Sequence, residues 1–397
     1  MESIKDLYII GPGPSSSHTI GPSRAAKEFS INLVADKIVV TLYGSLALTG
    51  KGHFTDKVIK DTMKGFNTEI IFNYDKKDLK HPNTMEFKAY KNNEIIKDVT
   101  YFSVGGGKIV TDLNNIDKNV VYKLNSFNEI KKYIEEKNMT LIEYVDSLED
   151  KDINAYLDNV LDYMFKEIEI NLSLDGTIPG PLHLTRVAKK IYNTAIKKSG
   201  DDLKTLLLTA YAYACLEGNA CGNIVVTAPT CGSCGILPAV LYYEYKYKKV
   251  DKKVLRDSLK VAGIIGNICK ENASISGAVL GCQAEVGVAS AMATAALCYI
   301  NSLSNYQIEY GAEVALEHFL GLTCDPVLGY VQIPCIERNG IGANRAYLSF
   351  LYAQNIAPIR KNKVSFDKVV EAMKVTGLSL NSDYKETSIG GLASLIK

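Results

Sequence analysis

From Val286 to Ile300 the chain reads VGVASAMATAALCYI, 15 residues without a charge and mostly with small side chains. Such a run has to be buried, yet it falls short of the roughly 20 residues a bilayer span takes. Its Ala and Gly positions let neighbouring helices come close, so the run predicts a buried helix at the centre of a helical region. Leu203 to Leu216 and Val254 to Cys269 carry further helix-length apolar patterns.

The first 110 or so residues read differently. Lys37 to Leu48 and Thr68 to Tyr74 are β-branched and apolar, and Met85 to Tyr90 and Glu94 to Val104 flank a hairpin-like turn at Lys91-Asn92-Asn93. Pro22 to Ala35 and Phe54 to Phe66 fit helices. This compact region ends at Gly105-Gly106-Gly107, and a polar connector rich in Lys, Glu, Asn and Asp runs from Asn114 to Asp152. The expected architecture is an α+β N-terminal domain, residues 1–140, followed by a mainly α-helical C-terminal catalytic domain, residues 141–397. With 47% hydrophobic and 22% charged residues the chain is an ordinary globular one.

The 45 Lys and Arg balance 44 Asp and Glu, for a net charge of +1. That offers no field for gathering nucleic acid or an anionic membrane, and it favours a small neutral or zwitterionic substrate. Met1 to Asp6 lacks the basic start and apolar core of a signal peptide, so the expected location is the cytoplasm.

Three segments carry candidate chemistry in the first domain. In Gly11-Pro12-Gly13-Pro14-Ser15-Ser16-Ser17-His18-Thr19, four hydroxyls and an imidazole precede a helix and form a donor-rich nest for a carboxylate. An N-cap needs only one such hydroxyl. Gly44 to His53 is similar to a phosphate loop but fails its spacing, because five residues separate Gly44 from Gly50 and Gly52 follows Lys51. His53 there is a candidate general base or acid. His81-Pro82-Asn83 sits in a loop, where His and Asn are free to bind ligand.

All nine cysteines lie between Cys215 and Cys335, an odd number that argues against a disulfide framework and for metal ligation or burial. Cys215, Cys269 and Cys298 fall on apolar helix patterns and read as core. Cys231-Gly232-Ser233-Cys234 has metal or redox spacing but no second pair to complete a zinc site. Cys282, Cys324 and Cys335 come from separate segments, the last two close to Pro, and three such thiolates suit an iron-sulfur cluster. Spacing alone does not decide between that and burial.

Together the segments PSSSHTIGP (14–22), LYGSLALTGKGHFTD (42–56), HPNTM (81–85), YFSVGGG (101–107), GCQAEVG (281–287), EHFLGLTCDPVLGYVQIPCIERN (317–339) and YKETSIGGLA (384–393) resemble the iron-sulfur-dependent L-serine dehydratases, in the family's order from end to end. The resemblance implies a single chain that fuses regions like the family's β and α subunits. It implies a 4Fe-4S cluster on Cys282, Cys324 and Cys335, and elimination of water from L-serine to give pyruvate and ammonia, a step of amino-acid catabolism that feeds gluconeogenesis. Ser15, Ser16, Ser17, His18, Thr19, His81, Asn83 and Arg338 are then expected to bind substrate, with His53 or His18 as the base, at an interface between the two domains. A homodimer is expected.

The chain departs from the family at three places. Cys231 stands where relatives commonly have a small or amide residue, the chain has no Cys after Cys335 to fold back on the cluster, and it is shorter than many relatives, with the deletion expected between Asn114 and Lys151. The fourth cluster ligand is thus water, a small anion or Cys231/Cys234. Competing readings are a cluster-dependent lyase acting on L-threonine or L-cysteine, and a non-enzymatic iron-sulfur or thiol redox sensor, which leaves the SSSHT, GKGH and HPNTM segments unexplained.

Overall fold

The computed structural model describes residues 1–75, 78–114 and 119–396; the expected connector and deletion at 114–152 therefore lie partly outside the described residues. The first part contains β1 (Ile10–Pro12), α1 (Gly21–Ser30), β2 (Lys37–Gly44), α2 (Ser45–Thr49), α3 (Thr55–Thr62), β3 (Thr68–Asn73), β4 (Asn83–Lys91), β5 (Glu94–Gly105) and β6 (Lys108–Val110). Then come α4 (Phe127–Lys137), α5 (Leu141–Leu148), α6 (Ile153–Asn171), α7 (Ala188–Ala195), α8 (Gly200–Ala220), β7 (Ile224–Val226), α9 (Ile236–Lys246) and α10 (Lys252–Asn272). The chain ends with α11 (Gly277–Leu280), α12 (Val286–Ile300), α13 (Asn305–Glu317), α14 (Cys335–Asn355) and α15 (Phe366–Ser379). An α+β region is thus followed by a mainly helical one, as expected.

The main sheet has the order β3-β2-β4-β5-β6, with β2 and β3 parallel and the other pairs antiparallel. Asn92 and Asn93, at φ 51° and 66°, form the tight β4–β5 turn, a conformation Asn tolerates better than most residues. Alternate residues of β2 (Ile38, Val40, Leu42) pack with Phe87 and Tyr101 against Ala25, Ala26, Phe29, Ile59 and Met63 of and beside α1 and α3. The other core joins Ile4, Leu7, Tyr8 and Ile20 to residues from Tyr122 onward, including Phe127 and Ile130 of α4. Strand β1 leaves the sheet region altogether and pairs antiparallel with β7, Ile10 opposite Val226.

Three elements end sooner than the apolar patterns predict. The helix over 22–35 stops at Ser30, where Ile31 turns extended and Asn32 adopts φ 54°. The helix over 54–66 is confined to α3, and the strand over 37–48 ends at Gly44, whose φ of 56° turns the chain into α2. Leu46 therefore packs its apolar side chain into the core from a helix rather than a strand.

The buried run from Val286 is α12. With its leading turn, Cys282–Ile300 is long and apolar enough to cross a membrane, but 83% of it is buried inside the protein, against α9, α10, α13 and α14. Ser290 and Thr294 return their hydroxyls to the carbonyls of Val286 and Ser290 at 2.8 and 2.7 Å, which satisfies both within the helix. Because every side of α12 is packed, Ala293→Leu is expected to cost about 1–3 kcal/mol, read as a lower urea midpoint with an unchanged slope; an unchanged midpoint would show slack packing around α12.

Candidate active site

His18 and His53 stack with ring centroids 4.5 Å apart and are fully buried. The SSSHT segment is a single wide turn whose polar groups mostly serve His18. Ser15 Oγ caps it by accepting the His18 N–H at 3.1 Å, and Ser17 Oγ lies 2.9 Å from His18 Nδ1. On the other side, Ser45 at the start of α2 gives its only hydroxyl proton to the Glu386 carbonyl at 2.8 Å. Its oxygen, 2.9 Å from His18 Nε2, must then accept from that nitrogen. His18 therefore carries its proton on Nε2 and accepts from Ser17 on Nδ1, so both nitrogens are committed.

His53 is held differently. Its Nδ1 donates to the Thr49 carbonyl at 2.9 Å, while Nε2, wholly buried, has no hydrogen-bond partner among the described residues. Burial pushes its pKa down to about 4, so near neutral pH it is a neutral imidazole with one free lone pair. Burial, then the neighbouring His53, also holds His18 well below its ordinary value. Thr19 anchors the His53 corner through its hydroxyl to the His53 carbonyl at 2.8 Å. Gly52 allows that corner to seat on the helical part: a Cβ there would lie 2.5 Å from the Gly329 carbonyl oxygen.

The three expected thiols converge on the facing side. Cys282 heads the turn into α12, Cys335 is the first residue of α14, and Cys324 lies in the loop between α13 and α14. A hydrogen bond from the Cys324 thiol and the Arg338 guanidinium bring Cys282 down to about 6 against the effect of burial, which favours its thiolate form. Two carboxylates flank the thiols. Glu285 accepts from Thr230 Oγ1 at 2.6 Å and lies 3.9 Å from Cys324 Sγ, and burial, then the Cys282 charge, raise it to about 8. Glu386 Oε1 lies 3.5 Å from His18 Nδ1 and 3.6 Å from His53 Nε2, and burial, then Glu285 and Cys282, push it well above the usual carboxyl range. Glu386 thus bridges the imidazoles and the thiols, and three ligand atoms of His18, His53 and Glu386 fall within 4.8 Å of one another.

Comparison with known proteins supplies the family. Residues 3–69 match the serine dehydratase beta chain and residues 71–393 the serine dehydratase alpha chain. The chain belongs to the serine dehydratase family. It is 37% identical to L-serine dehydratase 2 of Escherichia coli, over 100% of this chain and 99% of that one. It is 38% identical to L-serine dehydratase 1 of the same organism, over 99% of each, and 38% identical to an L-serine dehydratase of Streptomyces coelicolor, over 98% of each. The first of these alignments spans 453 positions, so the relative carries segments that this chain of 397 residues lacks. The junction between the two family matches falls within β3.

Other expected residues sit around this centre. Asn83 opens β4, reaches the Ser103 carbonyl at 3.4 Å through Nδ2, and leaves a buried Oδ1 without a partner among the described residues. Ser103 in turn donates to the Ser17 carbonyl at 2.8 Å. His81 is half-buried and accepts the Asn83 N–H at 3.1 Å. Ser16 is buried in the same turn, its carbonyl accepting the Gly21 N–H. Arg338 does not reach the hydroxyl nest; it binds the Thr323 carbonyl at 2.8 Å and Asp325 at 3.0 Å, bracing the Cys324 loop. Cys231 and Cys234 are buried in the turn before α9, with Cys231 near Glu285 and Cys234 near Cys215. Cys221 receives a hydrogen bond from Arg186 at 2.9 Å. Glu285, Glu386, Ser45 and Asp325 were not singled out from sequence; all four stand inside the segments that resemble the family, which was the available signal.

The buried His53 has a consequence for stability. The unfolded chain takes up a proton near pH 6.5, while the folded chain keeps His53 neutral to about pH 4. Between those values the unfolded state binds more protons, so stability is intact above the window and falls as the pH drops through it, by about 3 kcal/mol from this group. His53→Gln is expected to flatten the fall in urea midpoint over that range; a slope equal to that of the parent protein would show that His53 is not held neutral.

Proposed function

We propose that this protein is an L-serine dehydratase, which takes water from L-serine to give aminoacrylate, hydrolysed to pyruvate and ammonia, with a 4Fe-4S cluster on Cys282, Cys324 and Cys335. Family membership and full-length likeness to named L-serine dehydratases support the reaction. The observation that carries the residue assignment is the free, buried, neutral Nε2 of His53 facing a Glu386 that also feels the three thiols.

The donor set fits such a cluster. Three thiols from three segments meet, the Cys282 thiol held below its ordinary value by Cys324 and Arg338, and Gly277 keeps the space open: a Cβ there would lie 3.0 Å from Cys324 Sγ and 2.6 Å from a Glu285 oxygen. A bound cluster with an iron open to substrate supplies a Lewis acid for the serine hydroxyl, a poor leaving group. His53 Nε2 takes the α-proton, its ring fixed by the Nδ1–H bond to Thr49. His18 has both nitrogens committed and orients the site, with Ser15, Ser17 and Thr19 holding the turn. Asn83 offers its unpartnered Oδ1 to substrate. Arg338 keeps Cys324 in place.

The reading also takes the protein as a cytoplasmic homodimer of two-domain subunits. The domains are 1–140 and 141–397, although the bonds from the Phe127 and Asn128 amides to Asp367 of α15 favour ending the first before α4. Anaerobic purification, iron and sulfide analysis and a pyruvate assay on L-serine test the activity, and a solution mass measurement tests the dimer. His53→Ala should lose most turnover, about 10²-fold or more, while keeping the cluster absorbance; near-normal turnover removes His53 from the mechanism. Cys335→Ser should lose that absorbance and Cys269→Ser, in the core of α10, should keep it; the reverse would move the cluster elsewhere.

A further inference from the structure

We propose that Glu386 is the residue that binds the α-ammonium of the substrate, and that it thereby aims the Cα–H bond at His53 Nε2. The inference rests on the serine dehydratase reading and adds a specificity-determining contact to it.

An amino acid entering a buried site brings a positive charge that must meet a counter-charge or pay for its lost hydration. The ionisable groups facing Glu386 most closely are two further acids, Glu285 and Cys282, and its side chain is anchored by the Ala278 N–H at the start of α11. Arg338 is already engaged by the Thr323 carbonyl and Asp325. The groups around the free His53 Nε2 are therefore acids and neutral acceptors, a setting suited to one cation.

Geometry selects Glu386 over Glu285. Glu386 Oε1 is 3.6 Å from His53 Nε2, so an ammonium on that carboxylate puts Cα one bond, about 1.5 Å, further on, within the base's reach. Glu285 is occupied by Thr230 and lies beside Cys324. A metal ion bridging His18, His53 and Glu386 is the competing occupant. The commitments of His18 to Ser17 and Ser45 leave it only His53 Nε2 and Glu386 as ligands, whereas an ammonium needs only acceptors. The main-chain position of Glu386 is also fixed independently of its side chain, by Ser45 on its carbonyl and by its own N–H to the Cys324 carbonyl at 2.8 Å.

The test compares L-serine with 3-hydroxypropanoate, which keeps the carboxylate and hydroxyl and lacks the ammonium. In cluster-loaded Glu386→Gln the KM for L-serine should rise about 10- to 100-fold. The inhibition constant of 3-hydroxypropanoate should move by less than about twofold, and Glu386→Asp should fall between the parent and the Gln variant. A parallel loss for both molecules, an unchanged KM for L-serine, or loss of cluster absorbance in both variants overturns the proposal. Absence of pyruvate from the cluster-loaded parent protein would instead sink the serine dehydratase reading, so the two failures are distinguishable.

Discussion

The site depends on a short backbone splice between Cys324 and the C-terminal tail. The Cys324 N–H donates to the Tyr384 carbonyl and the Glu386 N–H to the Cys324 carbonyl, both at 2.8 Å, a single parallel bridge centred on Lys385. Asp325 reinforces it by accepting from Thr323, Arg338 and the Leu392 N–H, and Ser388 closes on the Pro326 carbonyl at 2.7 Å. Gly391, at φ 60°, permits this, because a Cβ there would lie 2.3 Å from Asp325 Oδ2. One local arrangement thus sets a thiol and a carboxylate at the same time.

The splice also reaches the other half of the molecule. Ser45, directly after β2 at the start of α2, donates to the Glu386 carbonyl and accepts from His18 Nε2, so the imidazole, the end of the sheet and the tail share one hydrogen-bonded chain. Such a chain is stiff because each member is buried and each polar atom has one remaining way to be satisfied. Beside that chain, His53 Nε2 and Asn83 Oδ1 have no hydrogen-bond partner among the described residues, and an unsatisfied buried acceptor is a cost that a fold retains where a ligand will meet it.

Much of this was legible in the residues. The β-branched and apolar runs gave the sheet, Asn92-Asn93 gave its hairpin, and the small-residue run gave α12, because local geometry and burial dictate each one. The three thiols expected to act together, Cys282, Cys324 and Cys335, do meet. The hydroxyl nest was legible as unusual but not in its use: its side chains were expected to face a ligand, and most of them bond to His18 and to the turn itself. Element ends were missed where a single positive φ, at Asn32 or Gly44, stops an apolar pattern that would otherwise continue.

By itself the sequence determined the order of an α+β region before a helical one, the buried centre, and which residue types were available for acid-base and thiol chemistry. Only the tertiary structure decided that His53 rather than His18 has a free nitrogen, that Arg338 braces the Cys324 loop, and that Glu386 stands between imidazoles and thiols. The physical reason is range. Period and propensity act over a few residues, whereas the protonation site of His18 is fixed by Ser45, 27 residues away, and Ser45 is committed by the Glu386 carbonyl, 341 residues beyond it.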